Sequence, residues 1–302
     1  MTMRFNDRVA VITGAGHGLG RSHALALAAR GAKVLVNDLG GAVDGSGADA
    51  GAAQAVVEEI RGHDGEALAN ADDIATRDGA ARLIAQARDA WGRVDILINN
   101  AGILRDKSFQ NMALDDFEAV LNVHLLGSVY CSHAAWPLMR EQAYGRVLMT
   151  TSAAGLYGNF GQANYGAAKM GLIGLMNVLK LEGRKYNITV NTVAPVAGTR
   201  MGGTVFPEQV MPLLRPELVS AAVMWLSSEQ CNLSGEIIAA GAGYYSRVQV
   251  MEGKGLTVDP GGNVTPELLH EAEAEILEMS QAQPFDEAMQ AVQRVFANLA
   301  RD

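Results

Sequence analysis

Scarcity narrows this chain before any motif does. Its 302 residues include only two cysteines, Cys131 and Cys231, with no paired spacing and no histidine cluster beside them. A disulfide scaffold and a zinc site are therefore not expected, and the thiols read as reduced and structural. No apolar run approaches the ~18 residues of a membrane span. The opening stretch, Met1-Thr2-Met3-Arg4-Phe5-Asn6-Asp7, has no apolar signal core, so a cytoplasmic protein is expected. Basic residues are also few: 24 Lys and Arg stand against 33 Asp and Glu, a net charge of -9 that argues against nucleic-acid binding. Most of that charge lies from Glu252 onward, where ten acidic residues face three basic ones, which leaves the body nearly balanced. What is plentiful is apolar side chain, 49% of residues, with 19% charged. That is the composition of a globular protein able to bury one large core or two small ones.

Strand-like runs alternate with helical patterns. Val9 to Thr13 precedes a helix from about Leu19 to Arg30, and Lys33 to Asn37 precedes one from about Ala50 to Arg61. The rhythm continues through Glu66 to Asn70, Thr76 to Trp91, Asp95 to Asn99, Leu114 to Arg140, Gly145 to Thr150, Asn164 to Lys185, Ile188 to Val193 and Glu236 to Ala240. Alternation of this kind predicts βαβ units and a parallel sheet, with strands apolar throughout because helices cover both faces. One doubly wound α/β domain over residues 1–251 is expected.

Two segments break the rhythm. Gly40 to Gly51 is a Gly-rich loop directly after the second strand, expected to be mobile and close to whatever binds there. Residues 252–302 form a helical extension. There Thr265-Pro266 reads as a helix start, and Leu269, Ala272, Ile276 and Met279 make one apolar stripe. A second stripe is Phe285, Met289, Val292, Phe296 and Leu299. The extension is expected to bury these on its own domain, covering the pocket, or against a partner subunit.

Chemistry enters at Thr13-Gly14-Ala15-Gly16-His17-Gly18-Leu19-Gly20, where a strand runs through a Gly-rich turn into a helix. Such a turn lets backbone approach a pyrophosphate and aims helix N-terminal amides at it. Asp38 closes the next strand, where a carboxylate can bind both ribose hydroxyls of an adenine nucleotide and repel a 2′-phosphate, so NAD is expected over NADP. Tyr165 and Lys169 are four apart, one face and one turn apart on a helix, and lie after Ser152. A cation beside a phenol is expected to lower its pKa from roughly 10 and make it a general acid/base near neutral pH.

Thr13 to Gly20, Asn99-Asn100-Ala101-Gly102, Ser152, Tyr165-x-x-x-Lys169 and Asn191-Thr-Val-Ala-Pro195 follow in the order and spacing of the short-chain dehydrogenase/reductase family, which residues 5–250 resemble. Closer still, Asn37 to Gly41, Asn100 to Asp106, Tyr157 to Tyr165 and Ala194 to Met201 are similar to the (3R)-hydroxyacyl-CoA dehydrogenase domains of the multifunctional enzymes of type 2. The resemblance implies a Rossmann-type sheet of about seven parallel strands, assembled as a homodimer or homotetramer.

By that resemblance Tyr165 exchanges the alcohol proton, Ser152 binds the same substrate oxygen, and Lys169 holds the nicotinamide ribose and lowers the Tyr165 pKa. Gly14, His17, Gly18, Leu19 and Gly20 would line the diphosphate, Asp38 the adenosine ribose, and Asp73 and Ile74 the adenine. Asn100, Ala101 and Gly102 would meet the ribose at a strand end, and Pro195, Val196, Ala197 and Thr199 the carboxamide. Where many members of the family carry an Asn that supports a proton-relay water, this chain has His124, which either takes that role or is a satisfied helix histidine. Pro195-Val196 replaces the usual Pro-Gly, and the loop Ala197 to Pro207 is expected to select substrate.

The leading reading is NAD-dependent oxidation of a (3R)-3-hydroxyacyl-CoA. A hydroxysteroid or other bulky alcohol is the alternative substrate, and a carrier-protein ketoreductase ranks lower because Asp38 opposes NADPH. A silent NAD-binding subunit is the alternative outside catalysis.

Overall fold

The computed structural model describes residues 2–199 and 209–299. Two units are distinguished, Met1–Arg247 and Val248–Asp302. In the first, β1 (Val9–Thr13), β2 (Lys33–Asn37), β3 (Ala67–Asn70), β4 (Ile96–Asn99), β5 (Gly145–Thr150), β6 (Ile188–Val196) and β7 (Ile237–Gly241) are joined by crossover helices. All seven pair in parallel, in the order β3-β2-β1-β4-β5-β6-β7. The order reverses between β1 and β4, which opens a crevice at the carboxyl ends of those strands.

An eighth strand, β8 (Tyr244–Val248), extends the expected seven beside β7. It follows Ala242 and Gly243, both at positive φ (49° and 79°), the twist a two-residue hairpin requires. Its exposed pattern, unlike the apolar runs of the parallel strands, hides it from a search for buried strands.

Helices α1 (Gly18–Ala28), α2 (Gly51–Gly62) and α8 (Pro216–Ser227) pack along one face of the sheet. Opposite them lie α3 (Arg77–Trp91), α5 (Gly127–Glu141) and α7 (Ala163–Gly183), with α4 (Leu114–Leu121) against α7. The sequence explains several of the ends: Thr76 Oγ1 accepts from Gly79 N at 3.1 Å to start α3, and Gly92 ends it in the left-handed region. Residues of β1, β2 and β4 sit with Leu27, Val56, Val57 and Ile60 in one core. Cys131 and Cys231 are buried free thiols.

The long pattern from Leu114 to Arg140 is not one α-helix. Asn122–Leu126 forms a π turn between α4 and α5, a distortion that frequently marks functional sites. Helix α8, where no element was expected, starts with Pro216 at its first position.

In the second unit the first apolar stripe breaks into α9 (Pro266–Glu271) and α10 (Glu273–Ile276), and the second becomes α11 (Ala288–Leu299). Phe285 precedes α11, with the Arg294 guanidinium 5.8 Å above its ring. Met289, Val292 and Phe296 of that stripe are exposed, as is Val295. Among the described residues no helix is long and apolar enough to cross a membrane.

Candidate active site

The ends of β1, β4, β5 and β6 open into one cleft of about 810 Å3. Ser152 stands just past β5 in extended conformation, where its Oγ accepts from Ala154 N at 3.2 Å and caps α6 (Ala153–Tyr157). Tyr165 and Lys169 come from the first two turns of α7, and Gly155 of α6 lets the two helices meet. A Cβ on Gly155 would lie 2.8 Å from that of Lys169. Ser152, Tyr165 and Lys169 therefore line one end of the cleft together.

Their electrostatics differ from the sequence expectation. Burial raises the Tyr165 phenol above its ordinary pKa, and the hydrogen bond with Ser152 only partly opposes this. Lys169 Nζ donates to Thr150 O and stands 5.4 Å from the centre of the Tyr165 ring. Burial brings Lys169 itself down to about 7.

His124 occupies the π turn and is almost fully buried. Its Nε2 lies 3.0 Å from Ile103 N and 2.8 Å from Ile103 O, while Nδ1 has no hydrogen-bond partner among the described residues. Burial, then the nearby Lys169, holds the ring well below the usual histidine pKa, so it is neutral.

Gly14, His17, Gly18 and Leu19 line the other side of the cleft. Gly14, at φ 62°, approaches β4 so closely that a Cβ would stand 2.7 Å from Ala101 Cα. Gly20, expected at the diphosphate, is not among the residues that line the cleft. It is buried beneath the turn, where a Cβ would meet Gly14 O at 2.2 Å and Asn100 Nδ2 at 2.6 Å. Its small size serves the packing of the turn against α1.

Asp38 lies just beyond β2 and lines the cleft. Oδ2 accepts from Gly16 N and Oδ1 from Gly40 N, each at 2.7 Å, so the carboxylate is oriented by two backbone amides. Asp73 and Ile74 follow β3, and Asn100, Ala101 and Gly102 follow β4, all on the cleft wall. Asn100 Nδ2 donates to Thr13 O and Gly14 O at 3.0 Å, which fastens the Gly-rich turn. Pro195, Val196, Ala197 and Thr199 line it from the end of β6. Of the expected substrate loop, residues 200–207 lie outside the described residues.

Several lining residues escaped the sequence reading. Tyr157, Asn159 and Gln162 form a rim between Ser152 and Tyr165, and Gln162 Nε2 donates to Asp106 at 2.7 Å. Asn164, fully buried beside Tyr165, donates to Arg105 O at 3.0 Å. Leu104 and Arg105 also line the cleft, as do Val43 and Gly45 of the Gly-rich loop. The glycine run signalled that loop and its nearness to a binding site, but not its contacts with residues 103–105.

Residues 8–209 match the family model for short chain dehydrogenases. A short-chain type dehydrogenase/reductase of Mycobacterium tuberculosis is 51% identical over 84% of this chain and 88% of that protein. The peroxisomal multifunctional enzyme type 2 of Mus musculus is 47% identical over 93% of this chain and 38% of the enzyme. The solved full-length peroxisomal multifunctional enzyme type 2 of Drosophila melanogaster superposes with a TM-score of 0.84 at 37% identity, over 98% of this chain and 50% of that one. The chain thus spans half or less of those multifunctional proteins. The parallel sheet, the serine, tyrosine and lysine gathered at its carboxyl edge and this similarity meet in one conclusion: the chain belongs to the short-chain dehydrogenase/reductase family and is an oxidoreductase acting on CH–OH donors.

Proposed function

We propose that this chain interconverts a (3R)-3-hydroxyacyl-CoA and its 3-keto thioester with NAD as cofactor. The observation that carries the cofactor is Asp38, fixed by Gly16 N and Gly40 N at the adenosine end of the cleft, with Leu39 and no cation immediately after it. A 2′-phosphate there would meet an oriented carboxylate without a compensating charge. Gly14, His17, Gly18 and Leu19 would hold the diphosphate, Asp73 and Ile74 the adenine, Asn100 to Gly102 the ribose, and Pro195 to Ala197 with Thr199 the carboxamide.

When bound, the nicotinamide supplies the acceptor for the hydride that leaves the carbinol carbon. Tyr165 takes the hydroxyl proton in that direction and returns it in the other, while Ser152 fixes the substrate oxygen beside it. The raised Tyr165 pKa favours the protonated acid, and a cationic Lys169 or cofactor charge must offset burial before the phenolate forms. The acyl-CoA class is supported by the two multifunctional relatives, whose domain this chain matches over most of its own length. Assembly as a homodimer or homotetramer belongs to the same proposal.

The near-ultraviolet absorbance of NADH, followed with a series of 3-hydroxyacyl-CoAs and with hydroxysteroids, tests the substrate. Turnover should appear with the (3R) thioesters and depend on chain length. Turnover of hydroxysteroids alone would overturn the acyl-CoA reading, and NAD binding with no turnover of any alcohol would favour the silent subunit.

A further inference from the structure

The connection between β2 and α2 is more hydrogen-bonded than its glycine content suggests. It is pinched at its base, where Asp49 N donates to Leu39 O at 3.0 Å. Gly40, at φ 76°, permits this closure, since a Cβ there would stand 1.9 Å from Asp49 O. Farther along, Ala42 N donates to Ser46 O at 2.8 Å and makes a turn.

The tip of that turn does not run free. Leu104 N donates to Val43 O at 2.9 Å, and Arg105 Nε donates to Asp44 O at 2.8 Å. Gly45 lies against Ile103, whose Cγ2 is 3.0 Å from where a Cβ on Gly45 would be. The Arg105 guanidinium is held from its other side by Asp116 at 3.0 Å.

In the sheet, β1 lies between β2 and β4. A loop that leaves β2 and touches residues after β4 therefore passes over the carboxyl end of β1, where the Gly14 turn begins. Gly41, Ala42, Val43 and Gly45 line the same cleft as Gly14 and Ala101. Turn and loop are thus two walls of one groove, with Asp38 toward one end and Tyr165 toward the other.

We propose that Gly41 to Gly45 is a cofactor-binding strap that crosses the dinucleotide, and that Arg105 is the positioning residue that latches it. The inference rests on the NAD reading above. A dinucleotide lying from Asp38 to Tyr165 leaves this groove once Val43 and Asp44 release residues 104 and 105. The Val43 contact is backbone to backbone, whereas the Asp44 contact depends on the Arg105 side chain. Arg105 is thus where closure can be altered without changing the strap. The two hydrogen bonds join the loop to the same strand end that carries Ile103, so a closed strap and an ordered His124 share one support.

The test is the rate of NADH release from the full chain, read by displacement of its fluorescence. Arg105→Ala should speed release about 10-fold, as expected for loss of a hydrogen bond from a charged donor. Arg105→Lys should restore part of the slow release, and Asp116→Asn should speed it less than Arg105→Ala. Hydrogen exchange in the unaltered chain gives a measurement independent of any variant, and amides of residues 40–49 should slow at least several-fold on NADH addition. A purely structural Arg105 would lower the melting temperature of the variant without changing release. NADH binding with release unchanged within twofold and no slowing of loop exchange overturns the strap alone, whereas no NADH binding by the unaltered chain overturns the cofactor reading and the strap with it.

Discussion

The His124 ring meets Tyr165 edge-on, with ring centres 5.1 Å apart and planes at 89°. The same ring is tied through Nε2 to the backbone of Ile103, so one side chain joins the chain just past β4 to the Tyr165 ring. A ring nitrogen with at most one proton satisfies either Ile103 N or Ile103 O at a given moment, while an amide side chain can offer a donor and an acceptor together. His124→Ala should therefore destabilise the fold by about 2–3 kcal/mol through the void and the freed backbone groups. It should also lower kcat roughly 10- to 100-fold by loosening Tyr165. His124→Asn should recover much of both losses. Because the ring is held neutral far below the usual range, the unaltered enzyme should show no activity limb near pH 6.5 that this variant removes. Disappearance of such a limb in His124→Asn would show that His124 titrates.

Gly102 provides an independent check on that packing. A Cβ on Gly102 would lie 2.1 Å from His124 Cε1, so Gly102→Ala forces the ring out of place. Overpacking of this kind should cost about 1–3 kcal/mol. In a His124→Ala background the three nearest atoms to that Cβ are gone, and the same substitution should cost less. A double-mutant cycle in denaturant should therefore give a coupling of about 1 kcal/mol or more. Strict additivity would place the Gly102 constraint elsewhere.

Tyr165→Phe removes the only atom of that side chain able to exchange a proton and keeps the ring that packs on His124. Turnover should fall by about 100-fold or more, the range of general acid/base catalysis, with NADH affinity changed by less than about threefold. Equal loss in binding and turnover would mean that the phenol serves the cofactor and not the proton.

The parallel sheet was legible because its strands are short, continuously apolar and bounded by glycine or polar residues, as in Val9 to Thr13. Ser152, Tyr165 and Lys169 were legible as a group from spacing and resemblance. Their charge states were not. The Lys169 ammonium has a partner that sequence does not reveal: it donates to Thr150 O, a backbone atom with no sequence signature. The π turn was hidden for a related reason: Asn122 to Leu126 continues the helical pattern on both sides, and only the burial of His124 against Ile103 distinguishes it. The packing of Gly20 against Gly14 O and Asn100 was not legible, because a glycine in such a turn can admit a ligand or a neighbouring chain segment, and sequence alone does not separate the two.

Asp38→Ala tests cofactor choice. The substitution removes the ribose acceptor and frees Gly16 N and Gly40 N, so NAD should bind about 10-fold more weakly or worse, as for loss of a charged hydrogen-bond partner. NADP should lose less, because the repulsion of its 2′-phosphate is relieved at the same time. Titrations with both cofactors decide it, and equal losses would refute the ribose role.

Lys169 links the site to stability. Its folded pKa of about 7 lies below the ordinary 10.5, so between these values the unfolded chain holds a proton that the folded chain has released. Stability must therefore rise with pH across that window, and the full burden of a buried ammonium is felt below about pH 7. The burden is on the order of 4–5 kcal/mol by the usual conversion of pKa difference to free energy. Lys169→Met keeps an apolar stem of similar length and removes the charge, leaving Thr150 O without its donor at a cost of about 1 kcal/mol. Without cofactor, the variant should be more stable than the unaltered chain at pH 6, with the advantage shrinking or reversing by pH 10, while turnover is lost. Chemical denaturation at the two pH values measures this directly. A variant equally destabilised at both would show that the Lys169 ammonium is well accommodated where it lies, and that its retention needs no catalytic explanation.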